Sequence, residues 1–229
     1  MNQADADRLL EMLNGPKATP QTSAVQTSLA PLNDQLPPER TDENYQSRQS
    51  PPPAQQGVQE IYATWGPVYR RLGYHPVPIT LSTKACHMRG WQEPVDDDDF
   101  KKTLSQYRNF GIGLVMGSVL PDGTRLAALD VDKDDYMPLA MALLRQPTCV
   151  RVGARGVGIF VRLRGDIGNV EFRTKSSDVR GGIKHSELLA ERKLIVIPPT
   201  IHPDTDRPYR WTGPALHEIS FNELPIIEV

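Results

Sequence analysis

The sequence predicts an α+β fold with a largely antiparallel sheet and flanking helices. Strand-length apolar runs and helix-period segments are mixed without the regular βαβ alternation of a parallel sheet. A hairpin-type turn at Pro121-Asp122-Gly123 also separates two consecutive strand-like runs.

That pattern occupies residues 58–229, which form the expected folded domain of roughly 170 residues, enough for one core. Residues 1–57 are different. They are rich in Pro, Gln, Ser, Thr and Asn, hold Tyr45 as their one aromatic residue, and carry Ser50-Pro51-Pro52-Pro53 near their end. Such a stretch buries too little apolar surface to offset its ordering entropy, so it is expected to be mostly disordered. The exception is Asp5 to Asn14, where Leu9, Leu10 and Leu13 make a short amphipathic turn or two before Gly15.

Along the folded part, Ile61, Trp65, Val68, Tyr69 and Leu72 recur at helical spacing from Glu60 to Leu72, with Gly73 as the stop. His75 to Ile79 reads as a short extended segment. Asp96 to Asp99 precede Phe100 and suit the first turn of a helix running to about Arg108. Gly111 to Met116 is a strand ended by Gly117, and the Pro121-Asp122-Gly123 turn leads into the strand carrying Asp130 and Asp132. Asp135 to Arg145 is predicted as a helix. Cys149–Val152 and Val157–Leu163 are predicted as strands around Gly153-Ala154-Arg155-Gly156. Leu188-Leu189 and Leu194–Ile197 read as a strand pair closed by Pro198-Pro199, and the chain then passes Tyr209-Arg210-Trp211.

Composition narrows the functional classes. With no 18-residue apolar run and no signal peptide, the chain is expected neither to span a membrane nor to be secreted. Cys86 and Cys149 form no CxxC pair, which suits a reducing, cytoplasmic setting. A net charge of −2 argues against a strongly basic nucleic-acid clamp. The cations are nevertheless uneven: residues 151–211 hold 12 Lys/Arg against 7 Asp/Glu, while residues 58–150 hold 10 against 11. A cationic second half suits a partner that carries phosphate.

The chemistry centres on Leu129-Asp130-Val131-Asp132. Residues two apart on a strand share a face, roughly 7 Å apart, so two carboxylates at the exit of an apolar strand are placed to hold a divalent cation. Other readings exist. Lys133-Asp134-Asp135 suits simple turn and N-cap chemistry, and an isolated hard-metal site of no catalytic use would look alike. A calcium loop fails, because its sixth position is Asp135 instead of Gly and its twelfth is Met141 instead of Glu. Two-metal phosphoryl chemistry needs a further acid, for which Glu187 is the first candidate and Asp178 the second, and cations for phosphate, for which Lys84, Arg155, Arg162, Lys175 and His202 are available.

The order of these segments resembles the bifunctional primase–polymerase domain of the archaeo-eukaryotic primase superfamily, found in replication proteins of plasmids, phages and integrated elements. The similarity runs from about Leu72 to Trp211. It includes Gly73-Tyr74-His75-Pro76-Val77-Pro78-Ile79, then Lys84 and Gly90-Trp91, then Gly111 to Gly117 and the acidic strand. The closing segment runs from Glu187-Leu188-Leu189 through Ile197-Pro198-Pro199-Thr200-Ile201-His202-Pro203 to Pro208-Tyr209-Arg210-Trp211. The resemblance implies an RRM-like catalytic core and template-directed nucleotidyl transfer. Asp130, Asp132 and Glu187 would hold Mg2+ or Mn2+, and Lys84 and His202 would lie near the nucleotide or template. It further implies a single-stranded or primed DNA template, nucleoside triphosphates, and a separate replicative helicase as partners. Trp91 and Trp211 are expected as core anchors.

One position departs from the family. Its second motif usually presents a histidine for the nucleotide's phosphates, and Gly158 stands at the matching place. Either Arg155 and Arg162 take over phosphate binding, arginine's planar fork being suited to it, or nucleotides bind poorly. A non-catalytic single-strand or nucleotide-binding protein, and a metal-dependent nuclease, are the alternative functions.

Overall fold

The computed structural model describes residues 60–145, 147–175 and 180–228. The predicted disordered region 1–57, its Leu9/Leu10/Leu13 segment and Asp178 lie outside the described residues. Helix α1 (Ile61–Arg71) buries Ile61, Tyr62, Gly66 and Tyr69 on one face, places Arg70 and Arg71 in its last turn beside the negative end of the helix dipole, and stops before Gly73 at φ 83°. Helix α2 (Asp97–Gln106) begins on Asp96, whose Oδ1 accepts the Asp99 N–H at 2.8 Å. The acidic run is therefore helix-start chemistry; a cap of this kind contributes about 1 kcal/mol.

Strands β1 (Pro76–Ile79), β2 (Gly111–Val115) and β8 (Leu194–Ile197) form a small antiparallel sheet with β2 in the centre. The larger sheet is built around β3 (Arg125–Val131), which pairs antiparallel with β5 (Val157–Arg164) on one side and β7 (Ile183–Leu189) on the other. Beyond β5 lie β4 (Val150–Val152) and β11 (Arg210–Thr212), and beyond β7 lies β6 (Val170–Thr174). A short β9 (Ile201–His202) pairs with β10 (Arg207–Pro208), and β12 (Ile226–Glu228) pairs parallel with β5. The α+β architecture with mostly antiparallel pairing is as the sequence predicts.

Three elements differ. The predicted Leu188-Leu189/Leu194–Ile197 strand pair does not exist: β7 joins the large sheet and β8 the small one. Both runs are apolar because each is covered on its inner face, and apolarity alone does not say by which partner. The predicted helix from Asp135 divides into a 3₁₀ turn (Asp134–Tyr136) and helix α3 (Met137–Leu143), with Pro138 in the first turn of the α-helical part, where its missing N–H costs nothing. Strand β6 carries Glu171, Arg173 and Thr174 at an exposed edge, and this polar run gave no apolar signal.

Alternation along β3 separates two cores. Leu126 and Ala128 pack with Phe160, Leu189, Ile112, Leu114, Ile195 and the aromatic face of α1; Ala127 and Val131 pack with Ile159, Val161, Leu188, Ala140 of α3 and Leu144 at its C-cap. Asp130 therefore lies at the rim of the face that meets the small sheet. No helix among the described residues is long and apolar enough to cross a membrane.

Between α1 and β1, burial, followed by the nearby Arg70 charge, lowers the pKa of His75 from 6.5 to about 4. The folded chain keeps this imidazole neutral, while the unfolded chain protonates it below about 6.5. Its contribution to stability is intact above pH 6.5 and is lost as the pH falls toward 4, by up to about 3 kcal/mol. Urea unfolding of wild type and His75→Gln from pH 7.5 to 4.5 checks this: the wild type should lose more stability, and equal losses would rule out His75 as the cause.

Candidate active site

The register of the large sheet aligns the charged residues in one row. Asp130 on β3 lies opposite Gly158 on β5 and Glu187 on β7; Gly158 in turn faces Arg151 on β4, and Glu187 faces Glu171 on β6. Residues directly opposite on paired strands share a face, so Arg151, Asp130 and Glu187 project to the same side. Asp132, two residues past Asp130, continues that face, and its N–H donates to the His185 carbonyl at 2.9 Å.

Cations hold these carboxylates. Asp130 Oδ1 accepts from Arg151 Nη2 at 3.1 Å. Glu187, 7% exposed, accepts from Lys184 Nζ at Oε2 and pairs with Lys193 Nζ at Oε1, both at 2.8 Å, and Lys184 lies 3.6 Å from Asp132 Oδ2. Lys184 and Glu187 are three apart and would point to opposite faces of a regular strand. One extra residue on β7, His185, opposite the step from Phe172 to Arg173, restores the common face. Burial works to raise the pKa of Glu187, but the hydrogen bonds and charges of the two lysines outweigh it and hold it below the usual value. At Asp130 burial prevails: its pKa is raised, with Asp132 and Glu187 adding to the rise and Arg151 and Lys184 opposing it.

Asp130 and Asp132 open into a cleft whose other walls are Lys84, Arg151, Arg155, His202, Tyr209 and the β8 residues Leu194 to Val196. At about 160 Å³ it is smaller than the roughly 300–1,000 Å³ of pockets that enclose whole ligands, so it suits a small anionic tail. The loop after β8 is pinned by Thr200, whose Oγ1 accepts the Ile112 N–H at 2.6 Å and donates to the Ile112 carbonyl at 2.9 Å. Just beyond it, buried His202 packs against the Tyr209 ring at 5.0 Å, and its Nδ1 accepts the Asp204 N–H at 3.1 Å. That bond leaves the proton on Nε2. Burial, with a smaller effect of Lys84, lowers the His202 pKa and favours the neutral ring. Lys84 is exposed, 3.5 Å from Asp204 Oδ2.

The structure thus brings Lys84, Arg155 and His202 to one cleft with the Asp pair, and sets Glu187 beside Asp130 with both its oxygens on lysines. Lys175 is exposed and outside the cleft. Arg162, expected with Arg155 to take over phosphate binding, also lies outside the cleft. It lies four residues along β5 from Gly158, where Nη1 donates to Asp122 Oδ2 at 2.6 Å and Nη2 to the Asn222 carbonyl at 3.0 Å. Arg162→Gln should therefore lower stability by about 1–3 kcal/mol and leave triphosphate affinity within about twofold; a large affinity loss in a folded variant would return Arg162 to the site.

Arg151, Lys184 and Lys193 are the charged residues that sequence reasoning missed. Arg151 reaches Asp130 through the register of β4 and β5, Lys184 reaches Glu187 through the bulge in their shared strand β7, and Lys193 reaches it from the loop before β8. Trp211 packs on Phe160 with ring centroids 5.6 Å apart, and Trp91 packs against the cluster formed by Val77, Ile79, Val115, Val196 and Tyr209, both as core anchors. Among the described residues, no group of three or more His, Cys, Asp and Glu is arranged to hold a metal ion. The donor chemistry fits a hard cation more narrowly: Asp130 and Asp132 face the cleft, and Mg2+ is commonly held by one or two carboxylates completed by substrate phosphates and water.

Comparison with known proteins adds one positive finding. A family model described as bifunctional DNA primase/polymerase, N-terminal, matches residues 67–226, more than half of the chain. A search of curated proteins found no match.

Proposed function

The chain belongs to the bifunctional DNA primase/polymerase N-terminal domain family, and from that premise we propose that it is a template-directed nucleotidyltransferase acting in replication of a plasmid, phage or integrated element. The observation that carries this reading is one cleft with two carboxylates on one wall and Lys84, Arg151 and Arg155 around it. The RRM-like core of the archaeo-eukaryotic primases is the form of the α+β fold it implies. Asp130 and Asp132 would hold Mg2+ or Mn2+, with the nucleotide's phosphates completing the ligand set. When bound, such an ion would supply Lewis-acid stabilisation of charge for attack of a 3′-hydroxyl on the α-phosphate and departure of pyrophosphate. Glu187 joins the pair only when Lys184 and Lys193 release it; otherwise it anchors those lysines beside the site. Lys84 and Arg155 offer charge to phosphate oxygens, and neutral His202 offers its Nε2–H. Single-stranded or primed DNA is the template, and a separate helicase would supply it.

The test is incorporation of labelled dNTPs and NTPs by the purified chain, on primed and unprimed single-stranded DNA with Mg2+ or Mn2+. Extension or de novo synthesis is the expected result; no incorporation with either ion overturns the reading.

A second reading has its own support, since the two oxygens of Glu187 and one of Asp130 are occupied by cationic side chains. In that case the chain is a non-catalytic single-strand-binding module. It then binds single-stranded DNA in a salt-sensitive way, extends nothing, and is indifferent to neutralising the acids.

A further inference from the structure

Arg151 is buried at 8% exposure and carries five N–H donors, yet among the described residues it makes one hydrogen bond, to Asp130. Its Nε is fully buried and has no partner there. Leaving a donor of a charged group unpaired away from water is costly, so an arrangement that keeps it calls for a function. The surroundings are shaped to the guanidinium. Its carbon lies 5.0 Å from the centre of the Tyr209 ring. A Cβ on Gly158 would stand 3.1 Å from both Nε and Nη2, and one on Gly153 would stand 3.3 Å from Nη1. Two glycines and an aromatic face thus leave room for this planar group, and the group lines the cleft.

We propose that Arg151, whose guanidinium occupies the space over Gly158, is the principal phosphate-binding residue of the site, gripping the phosphate chain of an incoming nucleoside triphosphate from the wall of the cleft. The inference rests on the nucleotidyltransferase reading and deepens it. A guanidinium fork pairs two phosphate oxygens at once, which a lysine does not. It also explains why a glycine is accommodated at position 158: a larger side chain there would press on Arg151 and on Ile195, whose Cδ1 lies 2.7 Å from the Cβ position. Phosphate drawn to the free donors competes with Asp130 for the guanidinium, so nucleotide binding loosens Asp130 for a cation.

The experiment is calorimetric titration of the full chain with dATP and with inorganic tripolyphosphate, in EDTA so that no metal contributes. Wild type should bind both. Arg151→Gln should weaken both about 10–100-fold, as loss of charge-assisted hydrogen bonds does, with Arg151→Lys in between and Arg162→Gln within about twofold. Gly158→Ala keeps the arginine but narrows its space and should cost about 3–10-fold; it and Arg151→Lys carry the test should Arg151→Gln fail to fold. Adding Gly158→His to Arg151→Ala should recover part of the lost affinity. Folded Arg151 variants that bind tripolyphosphate like wild type overturn this inference alone, provided the wild type incorporates nucleotides. A wild type that incorporates nucleotides but binds neither probe also overturns this inference alone, whereas one that incorporates nothing with either ion removes the nucleotidyltransferase reading along with it.

Discussion

Asp130→Asn and Asp132→Asn are each expected to reduce nucleotide incorporation about a thousandfold while the chain stays folded. A metal ligand supports several kcal/mol of transition-state stabilisation, and each 1.36 kcal/mol is tenfold in rate. Asparagine is the informative replacement because its carbonyl still accepts from Arg151, which donates to Asp130 at 3.1 Å. Alanine at 130 would strand a guanidinium whose side chain is 10% exposed. Breaking a fully buried pair costs about 3–5 kcal/mol, and less here because the Asp130 side chain is 31% exposed. Incorporation at several Mn2+ concentrations reads the role directly: both variants should need more Mn2+ and reach a lower plateau. Undiminished incorporation by either variant would sink the metal-site reading for that residue. Glu187→Gln separates the third acid from the pair. Because both its oxygens serve lysines, the expected loss of rate is smaller, under about a hundredfold, with about 1–3 kcal/mol lost in stability. A loss as deep as that of Asp130→Asn would make Glu187 a ligand of equal standing.

Gly156→Ala should cost about 2–5 kcal/mol of stability. Gly156 sits at φ 61°, where an L side chain costs about 1–2 kcal/mol, and a Cβ there would stand 1.8 Å from the Val131 carbonyl oxygen. Backbone must move to admit it, which adds an overpacking cost of about 1–3 kcal/mol. The displaced backbone is the end of β3 between Asp130 and Asp132, and the Gly156 N–H bonded to Asp134 Oδ1 at 2.8 Å moves with it. Gly123→Ala is the control, since Gly123 has φ 81° but nothing within 4 Å of its Cβ position. It should lose only about 1 kcal/mol. Urea unfolding with an unchanged slope compares the two; equal losses would show that the clash at Gly156 relaxes freely.

Much of the fold was legible because local signals coincided with local structure. The helix of Ile61, Tyr69 and their neighbours, the Asp96 cap, and the apolar strands β2, β3 and β5 each announce themselves by period or composition. Strand β6 was hidden because an exposed edge strand needs no apolar pattern. The partners of β7 and β8 were hidden because both runs are equally apolar and their pairing is decided at long range. The candidate site divides in the same way. Asp130 and Asp132 share a face by local geometry, while the cationic groups that meet the acids depend on tertiary placement. Arg151 reaches Asp130 across β5 only because residue 158 has no side chain, and Lys184 reaches Glu187 only through the extra residue on β7.

The sequence by itself determined the α+β class, the run of segments that resembles the primase–polymerase family, and the pair of carboxylates at the exit of a buried strand. Those follow from periodicity and from two-residue spacing, which are properties of adjacent residues. Only the tertiary structure decided that Arg162 belongs to Asp122 and Asn222, that Glu187 is held by two lysines, and that Arg151 fills the space over Gly158. The physical reason is that a charge's partner is set by strand register and by which faces meet, and both are fixed by packing between residues far apart in the chain.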